Sequence, residues 1–224
     1  MKLDDFTQEV LKNFSDIQPN IVIHPGKEIK TLSESRNIMA RVNLNQEFTN
    51  EVRIYDLKEF LGVLRLLDSP DITFHETHVL VADGVGRSRI KYFFADGNTL
   101  TVPAKDIAMP KAEVMFELDE KTLNSIRSAA GALGHEKFTV KKIDGTIVLT
   151  VEDVEDDTSN KYSVDVPGTA DHDDFVFILN VNNVKVIPGD YTVSMSSKRI
   201  SKFKNKTHDL EYWIALDKSS VYNG

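Results

Sequence analysis

The sequence predicts an α+β chain made of two similar domains, each with two helices packed on antiparallel sheets. Three observations carry this reading. Apolar stripes at helical spacing open each half, β-branched and aromatic runs follow them, and several segments of the first half recur in the second.

The repeat is clearest near the end of each half. Arg89-Ile90-Lys91-Tyr92-Phe93-Phe94-Ala95 returns as Asp209-Leu210-Glu211-Tyr212-Trp213-Ile214-Ala215, an offset of 120. Pro70-Asp71-Ile72-Thr73-Phe74 returns near Gly189-Asp190-Tyr191-Thr192-Val193 at an offset of 119. Val52 to Leu57 matches Val176 to Val181 at an offset of 124. In that last pair an apolar strand runs into Asp56 or Asn180, residue types that cap helix N-termini.

The elements follow in order. The first helix carries Phe6, Val10, Phe14 and Ile17 on one stripe, and Ile21–Ile23 and Ala40–Leu44 read as strands behind it. A second helix places Leu57, Phe60, Leu61 and Leu64 on its buried face. Residues 96–110, polar and holding Pro103 and Pro110, read as a linker between domains 1–95 and 111–224. A third helix carries Leu123, Ile126, Ala130 and Leu133. Strands follow at Phe138–Val140, Thr146–Val151 and Tyr162–Val166. Val181, Val184 and Ile187 predict a short fourth helix. A duplicated chain of this kind leaves sheet edges that invite pairing, and head-to-tail pairing closes rings when the rotation allows.

Composition bounds the function. The chain has 224 residues, 41% of them hydrophobic, enough for two cores. There is no Cys, hence no disulfide or thiolate chemistry. No apolar run reaches the roughly 18 residues of a membrane span, and the acidic Met1-Lys2-Leu3-Asp4-Asp5 start has no signal-peptide core. A formal charge of −8 opposes non-specific DNA binding unless cations gather on one surface.

Motifs for chemistry are weak. His75 and His78, three apart on a strand, face opposite sides and read as surface histidines. Asp83-Gly84-Val85-Gly86 lacks a third glycine, and no phosphate-binding G-x-x-x-x-G-K-[ST] run occurs. The acidic runs Glu152–Asp157 and Asp171–Asp174 lack calcium-loop spacing and read as solvated loops. No metal, cofactor or catalytic residue is expected.

The order and spacing of several segments resemble the DNA polymerase sliding clamps, specifically the trimeric clamp of T-even-type tailed phages, whose fold proliferating cell nuclear antigen shares. The resemblance rests on Met1-Lys2-Leu3 with Leu11-Lys12-Asn13-Phe14, and on Ile54-Tyr55-Asp56-Leu57 with Phe60 to Leu64. Phe177 to Val181 through Pro188-Gly189-Asp190-Tyr191 completes it. It covers nearly the whole chain. It implies the DNA clamp fold and a homotrimeric ring whose helices line the hole. It also implies a non-catalytic processivity factor in the host cytoplasm, loaded by an ATP-dependent clamp loader complex, that tethers the replicative polymerase to duplex DNA without reading sequence.

Under that resemblance, Lys12, Lys58, Arg65, Lys121, Arg127 and Lys185 become channel-lining cations; without it, exposed helical lysines are simply solvated. Asp4, Asp5, Glu9 and Asp16 temper any positive lining. The resemblance also nominates Pro188, Ala215 and Leu216, with Val102 and Ile107, as the pocket for a polymerase C-terminal tail. Lys198, Arg199, Lys202, Lys204 and Lys206 form a second basic cluster on a hairpin connection or edge strand. The alternatives are a different nucleic-acid-binding module, a metal hydrolase using the acidic run, and a phage structural β protein.

Overall fold

The computed structural model describes residues 1–103 and 107–224. The chain divides into two compact units, Met1–Lys105 and Asp106–Gly224. The division falls inside the 96–110 segment read as a linker, of which residues 104–106 lie outside the described residues.

The first unit holds α1 (Asp5–Ile17), β1 (Ile21–Ile23), β2 (Gly26–Leu32), β3 (Ile38–Phe48) and β4 (Val52–Ile54). It continues with α2 (Leu57–Arg65), β5 (Asp71–Phe74), β6 (His78–Ala82) and β7 (Arg89–Phe93). All strand pairs are antiparallel: β1 with β4, β2 with β3, and the meander β5-β6-β7. Asp4 caps α1 by accepting from the Thr7 N–H at 2.7 Å. Val10, Leu11, Phe14 and Ile17 then fall on one face and are buried, contributing roughly 1.5–3 kcal/mol each. Asp56 caps α2 through the Glu59 N–H, and Leu57, Phe60, Leu61 and Leu64 are buried.

The second unit holds β8 (Val114–Leu118), α3 (Glu120–Leu133), β9 (Lys137–Ile143), β10 (Thr146–Val151), β11 (Tyr162–Val166) and β12 (Gly168–Ala170). After these come β13 (Phe175–Asn180), β14 (Tyr191–Ser196), β15 (Ile200–Asn205), β16 (Leu210–Ala215) and β17 (Val221–Tyr222). One sheet runs β11-β10-β9-β13-β17; a second layer runs β12-β8-β14-β15-β16. Asp119 caps α3 through the Thr122 N–H at 2.6 Å, repeating the Asp4–Thr7 device. Gly134 closes α3 in the left-handed conformation that favours glycine.

The expected fourth helix is a single 3₁₀ turn, Val181–Asn183, so the described residues contain three α-helices. Asn180 accepts from the Asn182 N–H, two residues on, and so forms a tight turn instead of a helix cap. The following Val184, Val186 and Ile187 are β-branched, and Pro188 closes the segment. The α2 sequence, rich in Leu, Lys, Glu and Phe, has no such run.

A charged cluster sits inside the second unit. Glu152 is 5% exposed, and its carboxylate accepts from the Thr139 hydroxyl at 2.7 Å and from Lys141 at 2.6 Å. Lys161 reaches its other oxygen at 3.0 Å. Burial pushes Glu152 up, but Lys141, Thr139 and Lys161 outweigh it and hold the carboxyl at about 2. Among the described residues, no helix is long and apolar enough to cross a membrane.

Because the folded carboxyl lies below its ordinary 4.5, its stabilisation is complete above that pH and is lost as pH falls toward 2. Glu152→Gln is expected to lower urea stability at neutral pH by about 1–3 kcal/mol and to flatten the acid limb over this interval. Urea titrations from neutral to acidic pH check both.

Candidate nucleic-acid interface

Burying one stripe of each helix turns the opposite stripe to solvent. On α1 that stripe is Asp5, Gln8, Glu9, Lys12 and Asp16; on α2 it is Lys58, Glu59, Gly62 and Arg65; on α3 it includes Glu120, Lys121, Asn124 and Ser128. The first unit therefore presents Lys12, Lys58 and Arg65 against Asp5, Glu9, Asp16 and Glu59. This wet face is close to charge balance and is not a dense basic patch.

Local partners lower its effective charge further. Lys58 Nζ meets Asp16 Oδ1 at 2.8 Å across α1 and α2, and that hydrogen bond raises the Lys58 pKa. Glu59 accepts from the Tyr92 hydroxyl at 3.0 Å, while the Tyr92 ring packs edge-on against Phe60 at 5.2 Å. Lys12, Arg65, Lys121 and Lys185 stand exposed. Lys121, Asn124, Ser125 and Ser128 share a shallow depression along α3 with Glu120.

Arg127 corrects the sequence reading. Its guanidinium points inward and donates to the carbonyls of Val184 at 2.7 Å and Val186 at 3.3 Å. Burial lowers its pKa. A residue at the edge of an amphipathic stripe can turn either way. Here the carbonyls left open by the failed fourth helix draw it in, and it ties that segment to α3.

The nominated apolar dock is partly closed. Leu216 is only 6% exposed, and its N–H donates to the Arg199 carbonyl at 3.0 Å. Ala215, ending β16, is half-buried, Pro188 is exposed, Val102 is 41% exposed and Ile107 is half-buried. Gly189 follows Pro188 at φ +138°, and an added Cβ would lie 3.1 Å from Asn205 Nδ2.

Two other expectations change. The basic run 198–206 is not an edge, because β15 lies between β14 and β16; Lys198 and Arg199 occupy the hairpin turn. Lys202 pairs with Glu211 at 2.5 Å beside the Trp213 ring, and Lys206 pairs with Glu117 at 2.5 Å. His75 and His78 do not face opposite sides. A tight turn joins β5 to β6, and the rings stack at 4.4 Å with 9° between planes.

Sequence reasoning expected free sheet edges without locating them, and two of those edges are charged. β7 has β6 as its one neighbour, and Arg89, Lys91 and Phe93 stand exposed along it with Arg87 just before. Lys91 Nζ lies 4.8 Å over the Phe93 ring. In the second unit, β11 is likewise an edge, carrying Asp165 after the acidic loop Asp153–Asp157. The two-residue period of Arg87, Arg89 and Lys91 was the available signal.

Comparisons with known proteins bear on this arrangement. A family model described as gp45 sliding clamp, C terminal, matches residues 115–218. A sliding clamp of Vibrio phage KVP40 is 31% identical over 222 residues, covering 97% of this chain and 99% of its own. A sliding clamp of Escherichia phage RB69 is 31% identical over 231 residues, covering 100% of both chains. The solved structure of PCNA from Thermococcus kodakaraensis has the same fold, with a TM-score of 0.69 at 15% identity over 94% of this chain and 95% of that one.

Arg127→Met is expected to lower urea stability by about 1–3 kcal/mol, the cost of orphaning the Val184 and Val186 carbonyls. Equilibrium unfolding of the purified protein measures it.

Proposed function

This chain belongs to the sliding clamp family of T4-like phages, and on that premise we propose that it encircles duplex DNA and tethers the replicative DNA polymerase. The observation that carries the reading is the full-length likeness to phage sliding clamps, which runs through both units. The role needs no bond chemistry. A ring holds DNA because the duplex cannot pass through its wall, so contact with phosphate stays weak and sequence-blind.

The nearly balanced helical faces suit that role. A strongly cationic lining would bind phosphates tightly and slow sliding, with affinity falling steeply with salt. Lys12, Lys58, Arg65, Lys121 and Lys185 supply scattered phosphate contacts. Asp16 and Glu59 keep them from forming a trap. Arg127 is left out of the lining.

Three copies close the ring head to tail, with β7 of one subunit beside β11 of the next. Both are five-residue edges, and their charges are complementary: Arg87, Arg89 and Lys91 face Asp165 and the acidic loop before β11. Because this bond is short and charge-rich, an ATP-driven loader opens it without unfolding either unit. Pro188 and Ala215 of the second unit give the polymerase tail its apolar contact, and Val102 and Ile107 of the linking segment are further candidates. The protein works on DNA inside the host cell.

Loaded protein is expected to stay on nicked circular DNA and to leave once that DNA is linearised, read by gel filtration of the complex. Equal retention on both forms contradicts encirclement. Lys12→Glu with Lys121→Glu should weaken loading while the trimer mass holds.

Exposed pairs contribute roughly 0.2–1 kcal/mol each, so Arg89→Glu with Lys91→Glu should weaken trimer association about tenfold. Asp165→Lys in the same chain should restore part of it. Analytical ultracentrifugation follows both.

A further inference from the structure

The first unit contains a cleft that borders the proposed phosphate-contacting face and shares Arg65 with it. It has a volume of about 370 Å³ and opens between the start of α1, the end of α2 and β5. Leu3, Leu64, Leu67, Pro70 and Ile72 form its apolar wall, with Gln8 and Ser69 beside them. Lys2 and Arg65, both exposed, stand at its rim. Among the described residues that line it there is no carboxylate.

The cleft has an origin in the duplication. At the offset of 119 that relates the two halves, Ile72 corresponds to Tyr191. In the second unit the Tyr191 ring is fully buried, and its hydroxyl donates to the Ile187 carbonyl at 2.7 Å. The Tyr212 hydroxyl accepts from the Ile187 N–H, and Arg127 fills in beside Val184 and Val186. In the first unit an isoleucine replaces that ring, and Tyr92, the counterpart of Tyr212, bonds Glu59 near the other end of α2. The first copy therefore lacks the groups that close the second.

The wall is held in place. Ile72 exchanges backbone hydrogen bonds with Met1, its N–H reaching Met1 O at 2.8 Å and its carbonyl accepting from Met1 N at 2.7 Å. Gln46 Nε2 donates to the Lys2 carbonyl at 2.6 Å, and its Oε1 accepts from the Asp4 N–H at 2.7 Å. A pre-shaped apolar cleft loses little freedom on binding. Its volume lies at the low end of the roughly 300–1,000 Å³ of ligand pockets, enough for side chains and too small for a folded element.

We propose that this cleft is a second docking site of the subunit and takes a short peptide with leucine-like side chains beside carboxylates. The apolar walls receive the side chains, and Lys2 and Arg65 pair with the acids. Charge complementarity decides the occupant. A basic peptide would meet the like charges of Lys2 and Arg65, and a DNA backbone would leave Leu3, Leu67 and the floor at Ile72 unused. The site lies in the first unit and shares only Arg65 with the proposed DNA contacts, so peptide binding measured without DNA tests it apart from ring closure and encirclement.

Methyl NMR of the full-length assembly, observing Leu64, Leu67 and Ile72, tests it. The probes are acetyl-Leu-Leu-Asp-Asp-amide, its counterpart ending in Lys-Lys, and a short DNA duplex. The acidic peptide is expected to shift these signals saturably and to bind about tenfold more tightly than the basic one. Ile72→Tyr should close the cleft and abolish the shifts. Should that variant fail to fold, Arg65→Glu carries the test: acidic-peptide affinity should fall about tenfold and basic-peptide affinity should rise. No saturable shift, equal affinity for both peptides, or stronger displacement of the same methyls by duplex DNA would overturn the assignment, the last by making the cleft a phosphate contact.

Discussion

An amphipathic helix laid on a sheet has one face it must bury and one face it must leave wet. In this chain the buried stripes are strict. Val10, Leu11, Phe14 and Ile17 on α1, and Leu57, Phe60, Leu61 and Leu64 on α2, exclude water and fix the rotation of each helix about its axis. Rotation fixed on one side is rotation fixed on the other, so Lys12, Lys58 and Arg65 reach solvent as a consequence of core packing. A stripe shifted by one residue would turn each of them by about 100°.

The chemistry of that wet face suits the proposed work of an acidic chain on a polyanion. Cations are present, but Lys58 is held by Asp16 and the stripe of α1 carries Asp5 and Glu9. Such a surface has little grip on phosphate. In the proposed ring a topological link removes the need for grip, because escape would require breaking the proposed contacts between subunits. On that proposal, affinity for DNA and retention on DNA are separate properties of separate parts of the molecule.

Duplication gave both halves one plan, and divergence gave them different surfaces. Asp4–Thr7 and Asp119–Thr122 cap α1 and α3 in the same way. Past the caps the copies part. The first keeps a true second helix with an open cleft behind it, where Ile72 sits. The second replaces the helix with a 3₁₀ turn, and in the segment that follows it Arg127 satisfies the Val184 and Val186 carbonyls while Tyr191 and Tyr212 bond Ile187. One substitution of ring for branched aliphatic accompanies the difference between a filled core and a cleft.

The sequence by itself determined the fold class, the three amphipathic helices and the Asp56 cap of the second, because apolar periodicity and Asp at an N-cap are local signals that survive in one dimension. It also carried the repeat, which the offsets near 119–124 expose. Tertiary structure alone decided what followed from competition for partners. It turned Arg127 inward, because carbonyls three-dimensionally adjacent to it needed donors. It stacked His75 on His78, because a turn and not a strand joins them. It placed β15 inside its layer and left β7 and β11 at edges, since strand order depends on pairings many residues apart that no local pattern encodes.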